Sequence, residues 1–552
     1  MTKRTGGRVL VEALAINGVS TIFGVPGESY LEALDAIYER PDMLYVTCRQ
    51  EGGAAFMAEA HAKLTSRPGV CFVTRGPGAS NASIGVHAAF QNSTPLILLI
   101  GQVPRRNIER EAFQEIDYRR MFGQTTKWVA QIDDPARIPE FVNRAFQTAM
   151  AGRPGPVVLA LPEDVLREET GVALQPGATV VQAHPGAADL SSLRSMLAAS
   201  HCPLFILGGS VWTNPARLAV EAFAMRHQVP VAVGFRRQDL FDNRHNCYVG
   251  DFAWGNIPSL VAAVEQADLI VALGARLDEG TSYKYSLLTP PRLKQPFVHI
   301  LPGAEELGRV YHADLMVNAG VCEMAHALGT MDLSVPGRGW SEWRLQLRHG
   351  YLKSLEATAQ PGRLDMGKVM AYLRTALPHD AIVTTGAGNF ADWPNKTYQY
   401  GGIGTCLSPI SGAMGYGVPA AVAASITFPG RVVVCFSGDG DFLMNGQEIA
   451  TAVQYGGKPI ILVVNNNMYG TIRMHQQIRH PGRVSGTGLV NPDFAAFARA
   501  FGGHGECVTR TEDFAPAFER ACASGKLAVL ELQIDPESIC FNMPPLSELG
   551  RP

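Results

Sequence analysis

The stretch Ser437–Gly470, SGDGDFLMNGQEIATAVQYGGKPIILVVNNNMYG, opens on a Gly-Asp-Gly corner and closes on three consecutive asparagines. The β-branched run RVVVCF (431–436) precedes the first corner and PIILVV (459–464) precedes the second, so both follow buried-strand sequence. Between them, NGQEIATAVQY (445–455) is long enough for a helix, and SGDGDF (437–442) reads as the turn before it. If the two strands are parallel neighbours, Asp439 and Asn466 both emerge on one carboxyl edge, where open α/β sheets bind ligands. A carboxylate, an amide oxygen and a main-chain carbonyl are hard oxygen donors suited to Mg²⁺, which fills its octahedron with phosphate oxygens and water. Gly438 and Gly440 let the backbone approach a bulky anion, and the next helix offers it unpaired N–H groups. Each residue alone is an ordinary turn former. Together they read as a magnesium–diphosphate site.

Outward from this unit the same alternation of apolar runs and amphipathic stretches continues. Strands are expected at 21–25, 43–48, 70–74, 95–101 and 156–162, then at 203–209, 229–234, 268–276 and 297–301, and finally at 381–386, 431–436, 459–464 and 527–534. A polar, Gly/Pro-containing stretch (170–190) reads as a linker, and LSVPGRGW (333–340) as a second boundary. With 552 residues, too many for one core, the simplest division is three α/β domains, each a doubly wound parallel sheet. They are placed at 1–172, 188–338 and 360–552.

Composition narrows the function classes. A formal charge of −3 and the absence of a Lys/Arg block point away from nucleic acid. No apolar run approaches the roughly 20 residues a membrane span needs, and the basic N-terminus lacks the apolar core of a secretion signal. Ten cysteines without a CxxC pair argue against a zinc ribbon or disulfide framework and fit a reducing cytoplasm.

A GDG followed after this interval by a double asparagine resembles the signature of thiamine diphosphate enzymes. The likeness extends to SGAMGYGVPAA (411–421) and to RQEGGAAFMAEAHAKLTSRPGVCFVTRGPGASNA (49–82). Through FGVPG (23–27), GPGASN (76–81), GQVPR (101–105) and AFQE (112–115) the chain is most similar to acetolactate synthase and its relatives, over essentially its whole length.

The resemblance implies a pyrimidine-binding domain, a central domain and a diphosphate-binding domain, with thiamine diphosphate and Mg²⁺ as cofactors. It assigns the metal to Asp439, Asn466 and the carbonyl of Met468, and cofactor contacts to Pro26, Gly412, Gly438, Gly440, Tyr469 and Gly470. Met414 becomes the wedge between the cofactor's two rings, and Glu51 the acid that hydrogen-bonds its pyrimidine. Because family half-sites come from different chains, a homodimer is the minimum and a homotetramer is also expected. The activity implied is decarboxylation of a 2-keto acid, pyruvate above all, with transfer of the two-carbon fragment to a second carbonyl. The alternatives are a decarboxylase or C–C lyase that releases an aldehyde, and a non-catalytic relative.

Phe113, Gln114 and Lys127 match positions near the substrate of acetolactate synthases. Three departures stand out. Glu28 replaces a small residue and supplies an acid of the kind decarboxylases use for proton transfer. His475 stands where biosynthetic acetolactate synthases carry a tryptophan that favours 2-ketobutyrate. In the central domain, GGS (208–210) and GARLDEG (274–280) resemble a flavin-binding pattern, but its expected arginine is Gly280 and the ribose-binding position falls at HILPG (299–303). FAD is admitted by the pattern but not favoured.

Overall fold

The computed structural model describes residues 3–254, 257–333 and 340–550. Met1–Val181 make one compact unit and Gln182–Pro552 another. In the first, β1 (Arg4–Thr5) leads into six strands: β2 (Thr21–Gly24), β3 (Leu44–Thr47), β4 (Gly69–Val73), β5 (Leu96–Gln102), β6 (Trp128–Gln131) and β7 (Pro156–Pro162). They form a parallel sheet ordered β3-β2-β4-β5-β7-β6, and β8 (Glu169–Thr170) returns antiparallel to β1. Every residue of β4, β5 and β7 is buried, which is why these strands read as unbroken apolar runs rather than as alternation. On one face, Val70, Phe72, Leu99 and Leu159 pack in a core with helices Gly6–Ile16 and Ile138–Met150. Helices Glu51–Thr65 and Gly76–Asn92 meet through small residues: a Cβ on Gly85 would lie 2.3 Å from that of Ala55.

The second unit holds two parallel sheets. The central one comprises β9 (Pro203–Leu207), β10 (Val231–Val233), β11 (Tyr248–Asp251), β12 (Leu269–Leu273), β13 (Phe297–Leu301) and β14 (Leu315–Asn318), ordered β11-β10-β9-β12-β13-β14. The last comprises β15 (Ile382–Thr385), β16 (Cys406–Leu407), β17 (Val433–Gly438), β18 (Ile460–Asn465), β19 (His504–Val508) and β20 (Ala528–Gln533), ordered β16-β15-β17-β18-β20-β19. Their seam is polar. Asn243 and Tyr400 exchange two hydrogen bonds of 3.0 Å, Gln238 Nε2 donates to the Asn395 carbonyl at 3.2 Å, and Arg236 donates to the Pro409 carbonyl. Lys396 Nζ lies 3.6 Å from Asp251 Oδ2, both side chains almost wholly buried. Burial raises the Asp251 carboxyl above its ordinary range, with Lys396 opposing.

The expected fold class holds: three parallel sheets of doubly wound α/β type. Several local expectations do not. The turn placed at 437–442 is absent, because Ser437 and Gly438 finish β17 and Asp439 begins a helix directly. The helix expected over 445–455 is instead Asp439–Asn445, a 3₁₀ turn Gly446–Glu448 and Ile449–Gln454. Residues 171–186 carry no regular element, but helix Ala187–Ala199 takes the end of the expected linker. Residues 334–339, where the second boundary was expected, lie outside the described residues. Among the described residues no helix is long and apolar enough to cross a membrane.

Candidate active site

The strand order of the last sheet reverses between β15 and β17, and β18 lies beside β17 in parallel register. The corners after these three strands therefore converge on one edge. A cavity of about 230 Å³ opens there, with Phe390, Met414, Asp439, Asn466, Met468 and Ile472 in its wall.

The three asparagines divide their work. Asn465 closes β18 and donates to Glu531 Oε1 at 2.8 Å. Asn466 faces the cavity, its Oδ1 accepting the Met468 N–H at 3.3 Å. Asn467 takes φ +57, a left-handed conformation that asparagine tolerates better than most residues. Opposite them, Asp439 is buried at the first position of its helix. Burial raises its carboxyl above the ordinary value, and hydrogen bonds from Asn491 and from the Gly440 and Met468 backbone pull it down. Asn491 Nδ2 reaches Asp439 Oδ2 at 2.7 Å, and also Asn465 Oδ1 at 3.1 Å and Asn467 Oδ1 at 3.3 Å.

Close packing explains the glycines of the first corner. A Cβ on Gly440 would sit 2.4 Å from the Tyr469 ring, and one on Gly438 would sit 2.6 Å from that of Phe390. Gly412 takes φ +68 and faces open space. Tyr469 and Gly470 line the cavity beside Met468. The loop bearing Met414 is fastened by Asp441, whose Oδ1 accepts from Gly415 N at 2.8 Å and Ala387 N at 3.1 Å while Ser437 Oγ donates to Oδ2 at 2.5 Å. Its burial pushes that carboxyl up to about 6. His475, exposed on helix Gly470–Arg479, is not among the lining residues.

In the first unit, Glu51 opens its helix after β3 and accepts from Asn81 Nδ2 at 2.9 Å. Pro26 and Glu28 follow β2, both exposed; Arg75 bridges Glu28 at 3.3 Å and Glu163 at 2.7 Å. Gln114, at φ +67, accepts the Gly76 N–H through its carbonyl at 2.9 Å, and Phe113 is 73% exposed. These residues all come after the carboxyl ends of β2–β5. Lys127 does not join them. It precedes β6, its backbone N–H bonds the Pro156 carbonyl and its Nζ the Ala151 carbonyl, which places it at the amino edge of the sheet.

The donor set fits a divalent cation carrying an anionic ligand: one carboxylate, one amide oxygen and the Met468 carbonyl beside glycines that bring backbone to the cavity. Residues 4–121, 190–328 and 386–532 match the N-terminal TPP-binding, central and C-terminal TPP-binding domains of thiamine pyrophosphate enzymes. The acetolactate synthase large subunit of Parasynechococcus marenigrum is 31% identical over 98% of this chain and 89% of its own length. This chain belongs to the thiamine pyrophosphate enzymes. The acetolactate synthase isozyme 2 large subunit of Escherichia coli is 30% identical over 98% of this chain and 97% of that protein. A probable acetolactate synthase large subunit of Methanocaldococcus jannaschii is 28% identical over 98% and 93%.

Two features of this thiamine pyrophosphate enzyme escaped the sequence reading. Asn491 and Asp441 each tie the site together from a loop or helix turn, and only NPDF-like spacing or an acid beside GDG could have flagged them. The other feature is the central sheet's own reversal point, between β9 and β12. There a Cβ on Gly208 would lie 2.6 Å from Ala275 Cα, one on Gly209 would lie 2.9 Å from the Gly274 carbonyl, and Arg237 donates to the Gly209 carbonyl. These contacts bring the chain just after β9 and just after β12 into close backbone packing.

Proposed function

We propose that this enzyme decarboxylates a 2-keto acid, with pyruvate the leading substrate, and joins the two-carbon fragment to a second carbonyl. The observation that carries this reading is the meeting of Asp439 and Asn466 after adjacent parallel strands, in a cavity that Met414 also lines. The acetolactate synthase relatives supply the reaction class. Asp439, Asn466 and the Met468 carbonyl would hold Mg²⁺, and Gly438, Gly440, Tyr469 and Gly470 would present backbone to the diphosphate. Pro26 and Gly412 would border the rings of the cofactor. Thiamine diphosphate, when bound, supplies a nucleophilic carbon and an electron sink.

The chain's own groups then bind, orient and move protons. Glu51, which accepts from Asn81, would hydrogen-bond the pyrimidine and hold a proton there. Met414, on a loop fastened by Asp441, would hold the cofactor by packing between its rings. Phe113 and Gln114 screen the substrate from water, and Glu28, oriented by Arg75, serves proton transfer. Lys127 is left out. A homodimer is proposed as the smallest working assembly, because the half-sites of the family come from different chains, and a homotetramer as its pairing. Domains at 1–172, 188–338 and 360–552, a cytoplasmic location and a central domain that does not favour FAD complete the proposal.

Holoenzyme given pyruvate is expected to form acetolactate, resolved by chiral chromatography. Acetaldehyde as sole product would reject carboligation and favour the lyase reading, for which the exposed, Arg75-held Glu28 is the specific support.

A further inference from the structure

The wall formed by helix Gly470–Arg479 has an unusual charge. From Glu448 to Asp493 the intervening chain contains no acidic residue, yet it holds Lys458, Arg473, Arg479 and Arg483 together with His475 and His480. In a chain with 50 Asp and Glu against 47 Lys and Arg, this is a strong local imbalance. Arg473 spends both Nη atoms on Gln477 Oε1, each at 3.1 Å. Among the described residues none of the three arginines forms an ion pair.

Helical geometry aims this charge at the site. Thr471 and Ile472 line the cavity. His475 lies three and four residues beyond them and Arg479 seven beyond Ile472, so both share the lining face, about 4.5 Å and 10 Å further along the axis from Ile472. His475 and Arg479 are exposed and free to reach a ligand. The loop after the helix folds back, Gln476 Nε2 donating to the Ser485 carbonyl at 2.7 Å, and Met468 pairs with Gly488. Arg483, whose N–H donates to the His480 carbonyl at 3.0 Å, thereby follows directly on the helix end. An exposed basic helix face is ordinary. One that continues a cavity wall, without acids, and returns to the proposed metal corner is a recognition surface.

We propose that His475, Arg479 and Arg483 bind a second anionic group, carried by a substrate at the end distal from its reacting carbonyl. The substrate class is thus a short 2-keto dianion, acting as donor or as acceptor. This inference rests on the 2-keto-acid reading above, and its test keeps the two separable.

Binding to the Mg²⁺- and thiamine diphosphate-loaded enzyme is measured by calorimetry for 2-oxoglutarate and for 5-methyl-2-oxohexanoate, in which an isopropyl group replaces the distal carboxylate. The dianion is expected to bind at least about tenfold more tightly. The preference should shrink several-fold between about 20 and 300 mM salt. Arg479→Glu should abolish it, and Arg479→Lys should retain most of it; the position is exposed, and a melting curve verifies the fold. Equal affinities, unchanged by Arg479→Glu, would overturn the inference. Turnover of monoanionic 2-keto acids without charge discrimination would also overturn it while leaving the proposed function intact. Tight, Arg479-dependent dianion binding without turnover of any 2-keto acid would support it and reject that function.

Discussion

Asn491 offers the sharpest test of the metal corner. Its amide NH₂ has two protons, and three oxygens compete for them, the nearest being the Asp439 carboxylate at 2.7 Å. Its own Oδ1 is buried without a hydrogen-bond partner, so the orientation is set by the donor side alone. Asn491→Leu keeps the approximate volume and removes the donor. A hydrogen bond to a charged group contributes about 1.5–3 kcal/mol, so releasing Asp439 from its held orientation should weaken Mg²⁺ binding by about 10- to 150-fold. Trp393 lies in the cavity wall, so a Mg²⁺ titration with thiamine diphosphate present can be followed by intrinsic fluorescence, with calorimetry alongside. A folded Leu variant that binds Mg²⁺ within about twofold of the parent would refute the reasoning, since that difference lies well below one charged hydrogen bond.

Three further outcomes are expected. Glu51→Gln should slow hydrogen–deuterium exchange at the cofactor's reactive carbon by at least about a hundredfold while leaving diphosphate affinity nearly unchanged, and unaltered exchange would remove Glu51 from proton handling. His61 is held near 4 by burial, below its ordinary 6.5, so the native state resists its protonation and stability is lost as pH falls through that window. Denaturant titrations at neutral pH and near pH 4.5 should differ by about 2–3 kcal/mol less in His61→Phe than in the parent, and identical pH dependence would contradict this. Gly440→Ala must displace the Tyr469 ring, at a cost of about 1–3 kcal/mol; an unchanged melting temperature together with unchanged Mg²⁺ affinity would show that the packing there is slack.

Which parts of the architecture could be read from the chain follows a physical rule. The central strands of each sheet are buried on both faces and announce themselves as apolar runs, as in LILLIGQ of β5 and IILVVN of β18. The strands that went unread are all at sheet edges: the short pair β1 and β8, and β6, β11, β14, β16 and β19. Edge strands face solvent or loops on one side, so β14 (LMVN) and β19 (HGECV) mix polar with apolar residues, β16 has only two residues, and β11 (YVGD) is interrupted by glycine and acid. Within the site, Asp439 and Asn466 were legible because strand–helix–strand connectivity alone brings them together. Asn491 was not, since its loop reaches Asp439 through tertiary folding that no local spacing encodes. Lys127 was misplaced for a related reason: without β6 the chain offers no sign of which sheet edge it occupies.

The polar seam between the second and third sheets bears on how this protein could be dissected. An isolated third sheet would strip Lys396 of Asp251, the carboxylate 3.6 Å from its ammonium, and deprive Asn395 and Tyr400 of the groups that answer them. Leaving a charge of this kind without its counterpart costs about 3–5 kcal/mol when it stays buried. A fragment beginning near residue 182 keeps every one of these pairings, whereas one beginning after residue 354 keeps none. Fusion partners, affinity tags and truncations therefore belong at the first junction, and the two later sheets should be inherited, expressed and exchanged as a single piece.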